Sequence, residues 1–145
     1  MLDKMPVIQI DCSQQQENRL LVNGQPYNVV TRGFLVKQQY MLDANGKTWL
    51  TIRRKGSNTF RLLFANGRKY QLEVLSYTNK TAYVFYDQED TEVLRLTPLA
   101  HSVDTIRLLA SINEITEEEF IGLVAWGVYM WRYPQKKNAS YKPAA

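Results

Sequence analysis

The only histidine, His101, stands beside Ser102 and Asp104, so the three residue types of a hydrolytic triad occur within four positions. Triads are assembled from distant segments with defined geometry, which adjacency does not supply, and the stretch reads as a polar loop before a strand. Asp87, Glu89, Asp90 and Glu92 are close enough in sequence to suggest a cation site. The twelve-position calcium loop, with its glycine and terminal glutamate, is absent, and a solvated turn accounts for them. Cys12, the one cysteine, has no partner for an internal disulfide and no cysteine or histidine at metal-ligand spacing. It reads as a small buried hydrophobe. No phosphate-cradling glycine loop is present. Catalytic residues, metal and cofactor are therefore all expected to be none, and the protein is expected not to be an enzyme.

The basic residues carry more. There are 18 Lys and Arg against 14 Asp and Glu, a net charge of +4, and Arg132, Lys136, Lys137 and Lys142 account for the whole excess. The remainder is neutral but segregated. Residues 47–80 hold eight basic residues against Glu73 alone, while residues 81–119 hold nine acidic residues against Arg95 and Arg107. Such a dipole along the chain steers an anionic partner. Arg53, Lys55, Arg61 and Lys69 fall in β-prone runs whose alternation can send them to one outer face. Trp49 shares the parity of Arg53 and Lys55, so it is expected outward with them, where it could stack on a ligand or dip into an interface. The partners this chemistry fits are an anionic membrane surface with phosphorylated headgroups or an acidic protein, and no specific nucleic acid is expected. Solubilising charge on an outer sheet face would use the same residues.

The elements that must hold these groups are read from turns and periodicity. RLLVNGQPYNVV, YMLDANGKTWLTI and RLLFANGRKYQLEV each join two β-prone runs through Asn-Gly, a strong hairpin signal. Gly24, Gly46 and Gly67 are 22 and 21 residues apart, each followed three positions later by an aromatic: Tyr27, Trp49 and Tyr70. A fourth, diverged copy is YVFYDQEDTEVLRL. In the third hairpin a three-residue loop, Ala65-Asn66-Gly67, puts Phe60, Leu62, Phe64, Tyr70 and Leu72 on one face. In the second the same loop leaves Met41 and Trp49 opposite Leu50 and Ile52, and parity alone does not choose. Residues 7–11 and 105–113 read as a first and a last strand.

Residues 116–133, TEEEFIGLVAWGVYMWRY, read as a helix opened by a capping box of Thr116 and Glu119, with Ile115 and Phe120 placed as a hydrophobic staple. From 120 to 131 no face is polar, so the helix must be surrounded. Twelve residues span about 18 Å against a hydrocarbon core of roughly 30 Å, too short for lipid. Pro134 is expected to end the helix, and residues 134–145 to form a disordered basic tail. The N-terminus has no long apolar run or small-residue cleavage site, so neither signal peptide nor anchor is expected, and a cytoplasmic location, membrane-associated at most at the periphery, is the default. A helix that needs a full jacket and strands that need to lose their edges satisfy each other if the sheet closes. The expectation is one mainly β domain over residues 1–133: a closed antiparallel barrel of about ten to twelve strands around a central helix at about 117–133.

The Asp-x-Asn-Gly hairpin of residues 40–52, the later hairpin YVFYDQEDTEVLRL and a terminal strand running into an apolar C-terminal helix resemble the tubby C-terminal-like superfamily. It includes tubby proteins, phospholipid scramblases and plant LURP-one-related proteins. The resemblance spans residues 19–133 and implies a twelve-stranded barrel around the helix. It also implies a binding module for anionic phospholipid headgroups, since tubby proteins bind phosphoinositides through basic residues on the barrel. No motif transfers those positions one by one. The chain is short for the fold, and it lacks the scramblase cysteine cluster and an acidic calcium loop, so scramblase activity is not implied. A small barrel enzyme or ligand carrier is the alternative, opposed by a helix filling the lumen.

Overall fold

The computed structural model describes residues 8–12, 18–35, 37–76, 80–99, 102–108 and 115–141, with backbone alone at 98–99, 102–108 and 133–141. Its strands are β1 (Ile10–Cys12), β2 (Arg19–Val22), β3 (Gln25–Arg32), β4 (Gln38–Leu42), β5 (Thr48–Arg54), β6 (Thr59–Phe64), β7 (Lys69–Ser76), β8 (Thr81–Tyr86), β9 (Glu92–Leu99) and β10 (Ser102–Leu108), followed by one helix, α1 (Glu117–Tyr141).

Turn chemistry explains the hairpins. Asn23 and Gly24 both take positive φ, 50° and 80°, which a tight two-residue turn between β2 and β3 requires. The other three use three-residue loops. In the β4–β5 turn the Asp43 carboxylate accepts the backbone N–H groups of Asn45 and Lys47, both at 2.9 Å. In the β8–β9 turn Asp87 accepts those of Glu89 and Thr91 at 2.9 and 3.0 Å, and Asp90 holds φ 61° where the sister loops have glycine. The β6–β7 turn has the expected loop, since the Phe64 N–H donates to the Arg68 carbonyl at 2.9 Å. Leu50, Ile52, Leu62, Phe64, Tyr70 and Leu72 are accordingly buried, and Arg61 and Leu63 face out.

The strands form one antiparallel meander in chain order, each paired with the next. The expected closure is not reached by hydrogen bonds: among the described residues no pairing joins β10 to β1. β1 is only three residues long, so its second edge offers β10 few backbone groups to pair with. The sheet nevertheless lies on more than one side of the helix. A Cβ at Gly122 would come within 2.6 Å of Phe64 and 3.1 Å of Trp49, from β6 and β5, and one at Gly127 within 2.5 Å of Leu96, from β9.

The capping box forms as expected: the Glu119 N–H donates to Thr116 Oγ1 at 3.1 Å, and the Thr116 N–H to Glu119 Oε1 at 3.3 Å. Ile115 and Phe120 are fully buried beside it, as are Leu123, Val124, Ala125 and Trp126, while Ile121, Val128 and Met130 are half-buried. Among the described residues no helix is long and apolar enough to cross a membrane. The helix does not stop at Pro134 but continues to Tyr141. A proline inside a helix removes one hydrogen bond and crowds the preceding turn, which kinks a helix without having to end it. The tail expected from 134 is thus helical backbone as far as Tyr141, and residues 142–145 lie outside the description.

Candidate anion-binding face

Strand register settles which basic residues are neighbours. Arg53 on β5 pairs directly with Arg61 on β6, and Arg61 in turn with Gln71 on β7, while Gln38 of β4 flanks Arg53 on the other side. Leu63 pairs with Lys69, which places Lys69 on the diagonal from Arg61. Arg53, Arg61 and Lys69 are all exposed, and Lys55 is exposed in the connection that follows β5. Three of the four candidates therefore share one outer face, with Lys55 at its edge. Like charges directly opposite each other on a sheet are destabilising. Among the described residues neither arginine meets a carboxylate within ion-pair distance; the groups directly opposite are the neutral amides of Gln38 and Gln71, with Glu73 on the other diagonal from Arg61.

Trp49 is not on this face. Leu42 pairs with Thr48 but Met41 pairs with Leu50, so Trp49 is an extra residue in β5. This bulge breaks the alternation that would have sent Trp49 outward. The indole turns to the helix side, its ring centroid 4.8 Å from that of Tyr27 and 6.5 Å from that of Phe64. Its Nε1–H is buried without a protein acceptor. The same bulge resolves the second hairpin, because Met41, Leu50 and Ile52 all become buried.

At the start of the helix the arrangement is structural. Glu119, 1% exposed, accepts hydrogen bonds from the Tyr70 hydroxyl at 2.7 Å and the Asn66 side-chain amide at 2.8 Å, with the Arg68 guanidinium 3.9 Å away. Burial alone would raise the Glu119 carboxyl, but these donors and the Thr116 N–H outweigh it, and the group is held below its ordinary value. Tyr70 is driven the other way by burial and by the adjacent carboxylate. This carboxylate ties α1 to the β6–β7 turn and is already satisfied.

Beside it opens a cleft of about 480 Å³ bordered by Asn23, Tyr27, Trp49, Glu117, Glu118 and Ile121. Burial, then Asp43 and Glu118, raise the Tyr27 hydroxyl, so the local field is negative. An anion would be repelled there. Among the described residues no group of three or more His, Cys, Asp or Glu side chains could hold a metal. His101 lies outside the described residues, as do the side chains of Ser102 and Asp104. Asp87 is engaged in its own turn, and Glu92 binds Arg95 at 2.9 Å.

No family model matches the chain, and neither does any curated protein or solved structure.

Proposed function

We propose that this chain is a non-enzymatic binding module of tubby-like architecture, its sheet curled into a barrel about α1, that takes anionic phospholipid headgroups on its outer face. The observation that carries the reading is the direct pairing of Arg53 with Arg61 on exposed β5 and β6. Two guanidinium groups held side by side repel each other, and a phosphate bridging them converts that repulsion into charge-assisted hydrogen bonds. Lys69 and Lys55 extend the positive field to either side. Trp49 has no part in it. An acidic protein partner would meet the same field, but the close arginine pair suits a compact, multiply charged phosphate better than carboxylates spread along a peptide.

Four basic residues at an anionic surface supply roughly 4 kcal/mol at about 1 kcal/mol each, enough for weak reversible association. The test is vesicle co-sedimentation with and without phosphoinositide, comparing the intact chain with the reversal of Arg53, Lys55, Arg61 and Lys69 to Glu and with Lys136→Glu/Lys137→Glu. Binding should need phosphoinositide, weaken with salt and vanish in the quadruple variant. Retention of binding there, or its loss in the lysine pair alone, would falsify the assignment.

A further inference from the structure

In a meander the turns alternate between two ends, and the two ends of this sheet differ in charge. At the end where α1 begins, the connections and the first turn of the helix carry Asp43, Asp87, Glu89, Asp90, Glu117 and Glu118 against Lys47 and Arg68, an acidic excess. The β3–β4, β5–β6 and β7–β8 connections lie at the other end. With the strand residues that lead into them they carry Arg32 and Lys37, then Arg54 and Lys55, then Lys80, and none of the three contains an acidic residue, against the single Glu17 in the sequence of the β1–β2 connection, which falls at the same end. At this basic end Phe34 and Leu35, in the β3–β4 connection RGFLVK, are 93% and 89% exposed. Leu21 and Leu63, the other exposed large apolar side chains among the described residues, reach only 39% and 38%. Arg32 is steadied beside the connection, its guanidinium 5.6 Å from the Tyr40 ring centroid. Arg54 is held by the Gly56 and Ser57 carbonyls at 2.9 and 2.7 Å and lies over Phe60.

We infer that the basic end docks on an anionic bilayer, with Phe34 and Leu35 entering the headgroup–acyl boundary and the surrounding arginines and lysines meeting phosphates. This rests on the anion-binding reading above and gives it an orientation and an apolar anchor. Two adjacent apolar side chains in water at the tip of a connection, flanked by a base on each side, have the composition of an interfacial insertion site. A flat acidic protein surface would match the bases but leave the aromatic and aliphatic pair in water. The opposite end, with its carboxylates, is repelled by the same membrane, so one orientation is selected.

Phe34→Ser/Leu35→Ser removes the anchor without touching a charge or a buried residue. Against phosphatidylcholine vesicles containing phosphatidylserine or phosphoinositide, it should lower affinity about tenfold or more, since each side chain contributes substantially on leaving water. Binding of inositol hexakisphosphate, which reads the basic residues without a bilayer, should be unchanged, as should the melting temperature. Leu35→Trp should show fluorescence quenching by bromine-labelled acyl chains beyond that of the parent. Undiminished vesicle binding by the double serine variant, or no excess quenching, overturns the insertion and leaves the anion site standing. So does a parent that binds inositol hexakisphosphate but no vesicle. A parent that is dimeric by light scattering and becomes monomeric in the serine variant, with equal vesicle binding, assigns the pair to a second copy instead. A parent that binds neither probe overturns both readings.

Discussion

Glu119 shows how one side chain can serve cap, anchor and pH sensor of stability together. Its carboxylate is buried, so removing a donor leaves part of a charge unsatisfied. Tyr70→Phe should cost about 1–3 kcal/mol, read as a lower urea midpoint with an unchanged slope. Because the folded-state carboxyl sits below its ordinary 4.5, its stabilisation is present above that value and is lost as pH falls through the folded one. Tyr70→Phe shrinks the shift, so the gap between variant and parent should narrow on acidification. A gap that stays constant to pH 2 would show that the hydroxyl acts by packing alone. Trp126 makes a different residue-scale case. It is 1% exposed, stacked on Tyr129 at 5.1 Å, yet its indole N–H meets no protein acceptor. Trp126→Ala should cost about 3–5 kcal/mol through the cavity. Trp126→Phe should cost much less, because lost volume is offset by removing a buried, unpaired donor.

Among the elements, α1 depends on its two interior glycines for approach rather than for flexibility. Glycine costs about 1 kcal/mol against alanine within a helix, so Gly→Ala would stabilise wherever space allowed. At Gly122 the added carbon meets the Phe64 ring at 2.6 and 2.9 Å, and that ring is held between Trp49 and Tyr70. Gly122→Ala should therefore lower stability by about 1–3 kcal/mol despite the helical gain, as overpacking does. At Gly127 the closest obstacle is a Leu96 methyl at 2.5 Å, with Phe85 at 3.4 Å. One methyl can rotate where a ring wedged between rings cannot, so Gly127→Ala should be the milder of the two by thermal melting. The sheet repeats a device of its own: Val93 is an extra residue in β9 as Trp49 is in β5, each following a three-residue loop opened by an aspartate. Both bulges add a side chain to the buried face near a turn, where a sheet packing around a helix gains most from extra inward volume.

For the molecule as a whole, the segregation of charge along the chain becomes a separation between two ends. Because hairpins alternate ends, acidic and basic connections are sorted by the meander itself. At physiological salt charges act over about 8 Å, so location should count for more than the total. Glu89→Lys/Glu118→Lys raises net charge at the acidic end by as much as Arg53→Glu/Lys55→Glu lowers it at the other. The first should change affinity for anionic vesicles less than about twofold, the second at least tenfold. Equal and opposite effects would mean that binding follows net charge and that no face is selected.

Hairpins, capping box and buried helix were legible because each depends on contacts only a few residues apart: Asn-Gly at a tight turn, Thr116 with Glu119, an apolar run with no polar face. The reach of α1 past Pro134 was misread because a local rule about proline was applied to a helix whose axis is set by packing upstream. Trp49 was misplaced because parity holds only while a ladder is regular, and one inserted residue, fixed by pairing with β4 and by the space beside Tyr27, Phe64 and Gly122, sets Trp49 on the same side as Leu50 while Leu50, Ile52 and Arg53 keep their alternation. Phe34 and Leu35 carry no signal of exposure in sequence, where FLV reads as one more apolar run. Sequence alone determined the turns, the capped helix and the imbalance of charge. Which arginines stand opposite and which aromatic turns inward were decided by register, a property of strand pairs that no single segment contains, and which end is basic by the alternation of connections along the whole meander.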